Sequence, residues 1–457
     1  MHVTHLLRAL PALAALTAAV LVARPGSSEA FVLSGDSLSL DQRDFRVFDN
    51  FDDPQVTQNQ VPEANFPGVT GAALAIWKAC SEWGSTRRAD GSGDFHQPFD
   101  LGSGGANFDA LFQGLASGPG GVDDNIHSQI GGSGGGVIAF TELPSQDGWR
   151  IRYWKDPWNW HASPSGAQLP GTIDKDLQGI ATHEYGHALG LGHSSLLGAT
   201  MFGSSTGFGV ELRSLEADDV AGVQAIYGVA SAVKPRVDTW RLVPGGPTGA
   251  FIEIDGANFH PTDNEVWLPD DRPTADGTPL KIAAASSLGG TRIAVPRPPE
   301  AGRGDLAVKR DGSAHAALSN AFPFDPGSPP CAPVVAFGTG KTSSIGTQPT
   351  LYAVGSPKQS IDTFAFGCDE GVPLAVGVLF HGQASQARPF FGGTLYALPP
   401  LRRHLGFQFD FGGLAFIPLP VTNDMVGETR VYQLWFRDLA DPLGVGLSSA
   451  VEVTFCP

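Results

Sequence analysis

Between His183 and His193 the chain reads HEYGHALGLGH, a run that constrains both a local shape and a chemistry. His183 and His187 stand four residues apart, so a helix would project both imidazoles from one face. Glu184 lies one step round the turn, poorly placed as a third ligand on the same ion but well placed to reach its water. Gly190 permits the positive-φ turn that ends a helix and lets the chain double back. His193 then returns to the same point in space. Three neutral imidazoles with one open position describe a catalytic zinc site, because structural zinc normally takes four protein ligands. Bound Zn²⁺ lowers the pKa of its water towards ~7, and Glu184 would be the general base. A bare HExxH also fits a surface helix that carries two histidines, but the glycine and the third histidine at fixed offsets argue against that reading.

Met201 follows His193 by eight positions, in Ala199-Thr200-Met201-Phe202-Gly203, and is one of three methionines in the chain. Together with HExxHxxGxxH this resembles the metzincins, whose Met-turn lies beneath the zinc, and within them the matrixins. Residues 176–182 lead into the motif as matrixin helices do, and residues 215–228 look like their closing helix. The resemblance covers residues 31 to 228, densely from 174 onward. It implies a zincin/metzincin-like catalytic domain of α+β class, one catalytic zinc on His183, His187 and His193, and Met201 as an apolar floor rather than a ligand. It also implies a protein or peptide substrate lying extended against an edge strand.

Two departures from the family pattern bear on cofactors. Many matrixins hold a second, structural zinc with a histidine in the edge strand and another in the following strand. Here Phe140 occupies the edge position, and no histidine lies between Trp149 and Trp154. Asp94, His96 and Asp100 resemble only the remainder of that site, so a single zinc is expected. Calcium stays open as a further cofactor, since Asp49, Asp52, Asp53 and Asp123, Asp124 cluster without matching a known loop spacing. Many matrixins also carry a propeptide cysteine that caps the zinc. Nothing of that kind surrounds Cys80, which reads as a buried core thiol.

A chain of 457 residues is too long for one core, which points to several domains. Arg8 precedes an apolar run from Ala9 to Val22, and Ser28-Glu29-Ala30 offers a small-x-small cleavage site before Phe31. The run is shorter than the ~20 residues a membrane span needs and contains Pro11, so residues 1–30 read as a signal peptide and the protein as secreted. No membrane span is expected elsewhere. The net charge of −17 argues against nucleic acid and anionic membranes as partners. Oligomeric state is not legible. Of the four cysteines, Cys331, Cys368 and Cys456 lie in the last third, and their pairing with one another or with Cys80 is undetermined.

Within residues 31–228 the patterning predicts helices from Gly68 to Trp83, Ile173 to Leu189 and Ser214 to Tyr227, with Glu216, Asp218 and Asp219 at the positive end of the last. Residues 101–136 are heavy in glycine and read as mostly loop, followed by strands from Gly136 to Leu143 and Trp149 to Trp154. His96, His127 and His161 read as loop or surface histidines. After Gly228 the chain turns to short alternating strands between Pro- and Gly-rich turns. Residues 229–325, with a strand entering Gly256-Ala257-Asn258-Phe259, resemble an immunoglobulin-like IPT/TIG module. Pro326 to Pro330 is a linker, and residues 326–457 read as that linker with a C-terminal β-sandwich. His260, His315, His381 and His404 read there as isolated and exposed.

Two functions compete on this reading. One is a secreted zinc endopeptidase with two appended β-sandwich modules. The other is a non-catalytic, zinc-stabilised surface-binding or adhesion protein, against which Glu184 speaks because a structural metal needs no base. A fragment ending after Gly228 is expected to fold and to cleave peptides on its own.

Overall fold

The run from His183 sits on the second of three α-helices found among the described residues: α1 (Gly71–Glu82), α2 (Leu177–Ala188) and α3 (Ala217–Tyr227). The computed structural model describes residues 30–53, 57–60, 69–85, 102–121, 124–143, 148–162, 173–204, 210–327, 334–354, 357–358 and 364–456. Helices α1 and α2 lie against a five-stranded sheet of β1 (Asp44–Val47), β2 (Leu111–Leu115), β3 (Ile126–Ser133), β4 (Ala139–Glu142) and β5 (Arg150–Asp156), in the order β2-β1-β3-β5-β4. Four strands run parallel and β4 alone is antiparallel, at one edge. Large buried aromatics between sheet and helices, among them Phe45, Trp83, Trp149, Tyr153 and Tyr185, make the core. The Trp83 indole donates to the Thr182 carbonyl at 3.0 Å and so binds α1 to α2.

The helices begin later than the periodicity suggests. Asp176 is the N-cap of α2, its carboxylate accepting from the Gly179 amide at 2.8 Å, while Asp174–Asp176 is a short strand. Buried Arg213 pairs with the same carboxylate at 2.7 Å. For α3 the N-cap is Glu216, in a reciprocal capping box with Asp219. The expectation of loop over residues 101–136 is also corrected, because β2 and β3 lie there. Leu111 and Phe112 on the outer strand β2 are fully buried because the following module covers them: Leu111 packs with Trp267 and Leu318, and the Phe112 amide donates to Asp305.

Several histidines differ from their sequence reading; strand register carries His127 and His381 inward, while His315 lies in a short 3-10 turn against Arg43. His127 on β3 is fully buried, with Nδ1 at 2.8 Å from the Tyr153 hydroxyl and Nε2 at 3.4 Å from the Cys80 thiol. His381 is buried against His404, and His315 meets the Arg43 guanidinium at 2.8 Å. His161 is half-buried beside Asp174 at 3.2 Å, and His96 lies outside the described residues. Cys80 is a buried thiol as expected, Cys368 is another buried thiol, and Cys456 is disulfide-bonded. Cys331 lies outside the described residues.

From Arg236 to Phe324 the chain forms two four-stranded antiparallel sheets around a shared core that includes Trp240, Ile252, Val266 and Val308. Asn258 holds φ +61° in the Gly-Ala-Asn-Phe turn, a left-handed geometry asparagine tolerates. From Val335 onward, a five-stranded and a three-stranded sheet enclose a further core around Tyr432 and Phe366. The first of these modules is docked on the helical part through buried polar groups. Asp305 on Gly304–Arg310 is fully buried and accepts from the Trp77 indole at 2.9 Å and from the Phe112 amide at 2.8 Å. Buried Lys234 pairs with buried Asp109 at 2.8 Å, and Leu40 and Leu111 share an apolar cluster with Trp267 and Leu318. No helix among the described residues is long and apolar enough to cross a membrane.

Candidate metal centre and active site

Helix α2 projects His183 and His187 from one face because they are one turn apart, and their ring centroids lie 4.9 Å from each other. The helix ends at Leu189, and Gly190 takes φ +105°. A Cβ there would collide with the Asp36 carbonyl, so both the turn and the close approach need glycine. The reversal brings the His193 ring to 4.8 Å from His187 and 5.3 Å from His183. One ligand atom from each of the three lies within 4.8 Å of the others. Among the described residues this is the one group of three or more His, Cys, Asp or Glu so assembled.

Each ring on the helix is held from behind. His183 Nδ1 donates to the Thr200 carbonyl at 2.6 Å, and His187 Nδ1 to the Leu191 carbonyl at 2.8 Å. Those bonds turn both Nε2 lone pairs toward the centre. Burial pushes the His183 pKa down to about 4, helped by the neighbouring imidazoles and opposed by the Thr200 carbonyl. Burial likewise lowers His187. Two neutral imidazoles held this way beside the exposed His193 are a donor set that fits zinc.

Met201 is buried beneath this group. A Cβ at Gly186 of α2 would collide with the Met201 sulfur, so helix and turn are in direct contact. The turn is fastened by Asp219, whose carboxylate accepts from the amides of Thr200 at 2.8 Å, Met201 at 3.0 Å and Glu216 at 3.0 Å. Capping accounts for only part of its role, since it also anchors the segment whose carbonyl orients His183. Asp218 accepts from the amides of Ala30 at 2.9 Å and Phe31 at 3.1 Å, and from the Ser194 hydroxyl at 2.6 Å.

Glu184 is buried on the same helix, and the loss of solvation pushes its pKa up to about 7. The Thr141 hydroxyl, on β4, opposes that shift and lies 3.0 Å from Oε2 and 2.7 Å from the Glu184 carbonyl oxygen. Thr141 escaped the sequence reading, and Asp219 was read only as a helix-capping acid. Alternation along β4 offered a signal for Thr141, because the face that buries Ala139 must also turn Thr141 toward α2.

Of the acidic residues weighed as calcium ligands, Asp49, Asp52 and Asp53 are engaged with other side chains, and Asp124 accepts from the Gly121 amide. Asp49 accepts from Thr70 and Gln60, Asp53 from Asn59 and Gln129, and Asp52 pairs with Lys155. Asp94, His96, Asp100 and Asp123 lie outside the described residues, and Phe140 packs on Trp154 at 5.8 Å between ring centroids.

Residues 57–228 match the family model described as matrixin. The chain is 48% identical over 60 residues to metalloendoproteinase 5-MMP of Arabidopsis thaliana, covering 13% of this chain and 16% of that one. It is 51% identical over 49 residues to matrilysin of Rattus norvegicus, covering 11% and 18%. With metalloendoproteinase 1 of Glycine max it shares 38% identity over 95 residues, covering 21% and 30%. The chain thus spans less than a third of the length of each of these relatives. Over residues 57–228 the chain is similar to the matrixins, which supports a metzincin-like catalytic domain there.

Proposed function

We propose that this chain is a secreted, zinc-dependent endopeptidase whose metal is held by His183, His187 and His193 and whose general base is Glu184. The observation that carries the reading is the convergence of the three imidazoles beside a buried glutamate. Zinc bound there would polarise a scissile carbonyl and acidify water. The chain's own residues supply the rest. His183 and His187 hold their tautomers through main-chain carbonyls. Glu184 accepts a proton from the attacking water and returns it to the leaving amine. β4 is an edge strand, with β5 on one side only, so its other edge can bind an extended peptide by main-chain hydrogen bonds. The matrixin match and the metalloendoproteinase relatives support this reading. We assign residues 1–30 to a signal peptide, 31–228 to the peptidase, 229–325 to an IPT/TIG-like module and 326–457 to the linker and a C-terminal β-sandwich.

The test is peptide turnover by wild type and Glu184→Gln at matched zinc occupancy. The amide leaves the three ligands intact but accepts no proton, so turnover should fall by at least ~10²-fold. Equal rates would remove Glu184 as the base, and a zinc-loaded wild type that cleaves no peptide would favour a binding protein.

A further inference from the structure

We propose that Thr141 is a positioning residue for the Glu184 carboxylate. The inference rests on the peptidase reading above. Thr141 lies on β4 opposite Ile151 of β5, and the face it shares with buried Ala139 is turned to α2. Its hydroxyl sits 2.7 Å from the Glu184 carbonyl oxygen and 3.0 Å from Oε2. A hydroxyl has one proton and two lone pairs, so it donates to one of these oxygens at a time. Both acceptors belong to the same residue, and choosing between them needs only rotation about the Cβ–Oγ1 bond.

The hydroxyl thus ties the Glu184 carboxylate, through Oε2, to the strand along which substrate would lie, and so sets the direction of the other carboxylate oxygen. Because β4 also forms the edge on which a peptide pairs, Thr141 couples the position of the base to the position of the bound chain.

Three substitutions separate this role from simple packing. Thr141→Val keeps the shape and loses the hydroxyl, Thr141→Ala loses hydroxyl and methyl, and Thr141→Ser keeps the hydroxyl alone. Zinc content, kcat, KM and melting temperature are measured for each in the full chain. We expect kcat to fall about 10- to 100-fold in both Val and Ala variants, with KM and zinc content near wild type. Ser should restore kcat to within about threefold. Thr141→Val in a Glu184→Gln background should cost nothing further, since the threonine acts through the glutamate. The inference is overturned if Val retains wild-type kcat while Glu184→Gln is inert, or if kcat follows melting temperature with Ser no better than Ala. An inert wild type, or an active Glu184→Gln, would instead overturn the peptidase reading itself.

Discussion

The Trp77 indole donates to the Asp305 carboxylate at 2.9 Å, joining a helix of the metzincin-like domain to a strand of the module that follows it. The same oxygen takes the amide of Phe112 on the outer strand of the sheet, 2.8 Å away. These contacts bear on whether residues 31–228 can fold alone. Asp305→Ala takes that acceptor from two buried donors and should cost about 1–3 kcal/mol for each. Urea unfolding of the full chain measures it. A fragment ending at Gly228 should be insoluble or only partly folded, and one with the melting temperature of the full chain would show that the contact is incidental.

Asp219 predicts a defect in metal affinity without contact with the metal. Its carboxylate fastens the Thr200 and Met201 amides, and the Thr200 carbonyl orients His183. Asp219→Ala should weaken zinc binding about 10- to 100-fold, as loss of groups that orient a ligand does. Competition with a chromogenic chelator reads this out, and unchanged affinity would show that the turn holds its shape unaided.

Gly186 and Met201 predict a packing limit. Gly186→Ala forces a methyl group against the Met201 sulfur and the Trp83 ring. Overpacking of this kind costs about 1–3 kcal/mol. Pairing it with Met201→Ala should recover part of the loss, measured by thermal unfolding of both single variants and the double. Strictly additive effects would argue that the two groups do not press on each other.

His127 predicts a dependence of stability on pH. Burial pushes its pKa down to about 3, from an ordinary value of 6.5. Below 6.5 the unfolded chain gains a proton that the folded chain refuses. Stability from this residue is therefore complete above that pH and declines as the pH falls towards 3, by up to about 1.4 kcal/mol per pH unit. His127→Gln should flatten the decline between pH 6 and pH 4 by about one proton's worth. Parallel urea curves for wild type and variant across that range decide it, and identical slopes would place the titrating group elsewhere.

The cluster of His183, His187 and His193 was legible because its geometry is local. Four residues of helix and one glycine turn bring them together, and both are written in adjacent letters. Thr141 was hidden because its partner lies on a helix 43 positions away, and only strand register decides which face it takes. Asp305 was hidden more deeply, since neither Trp77 nor Phe112 announces a partner in another module. His127 and His381 were misread for the converse reason. A histidine in a short strand looks exposed until the core that swallows it is known, and glycine-rich surroundings disguised the strand that holds His127.

The histidines on α2 take their orientation from the carbonyls of Thr200 and Leu191, which are main-chain atoms. A carbonyl survives every amino-acid replacement at its own position. Exchanging either residue for another of compatible backbone shape leaves the oxygen where it was, so no single codon change can delete either bond directly. The mutational target that disables the centre is correspondingly small. A saturation scan should find the ligands and the glycines of the turn intolerant and Leu191 open to other apolar residues, so that vulnerability concentrates in a few letters.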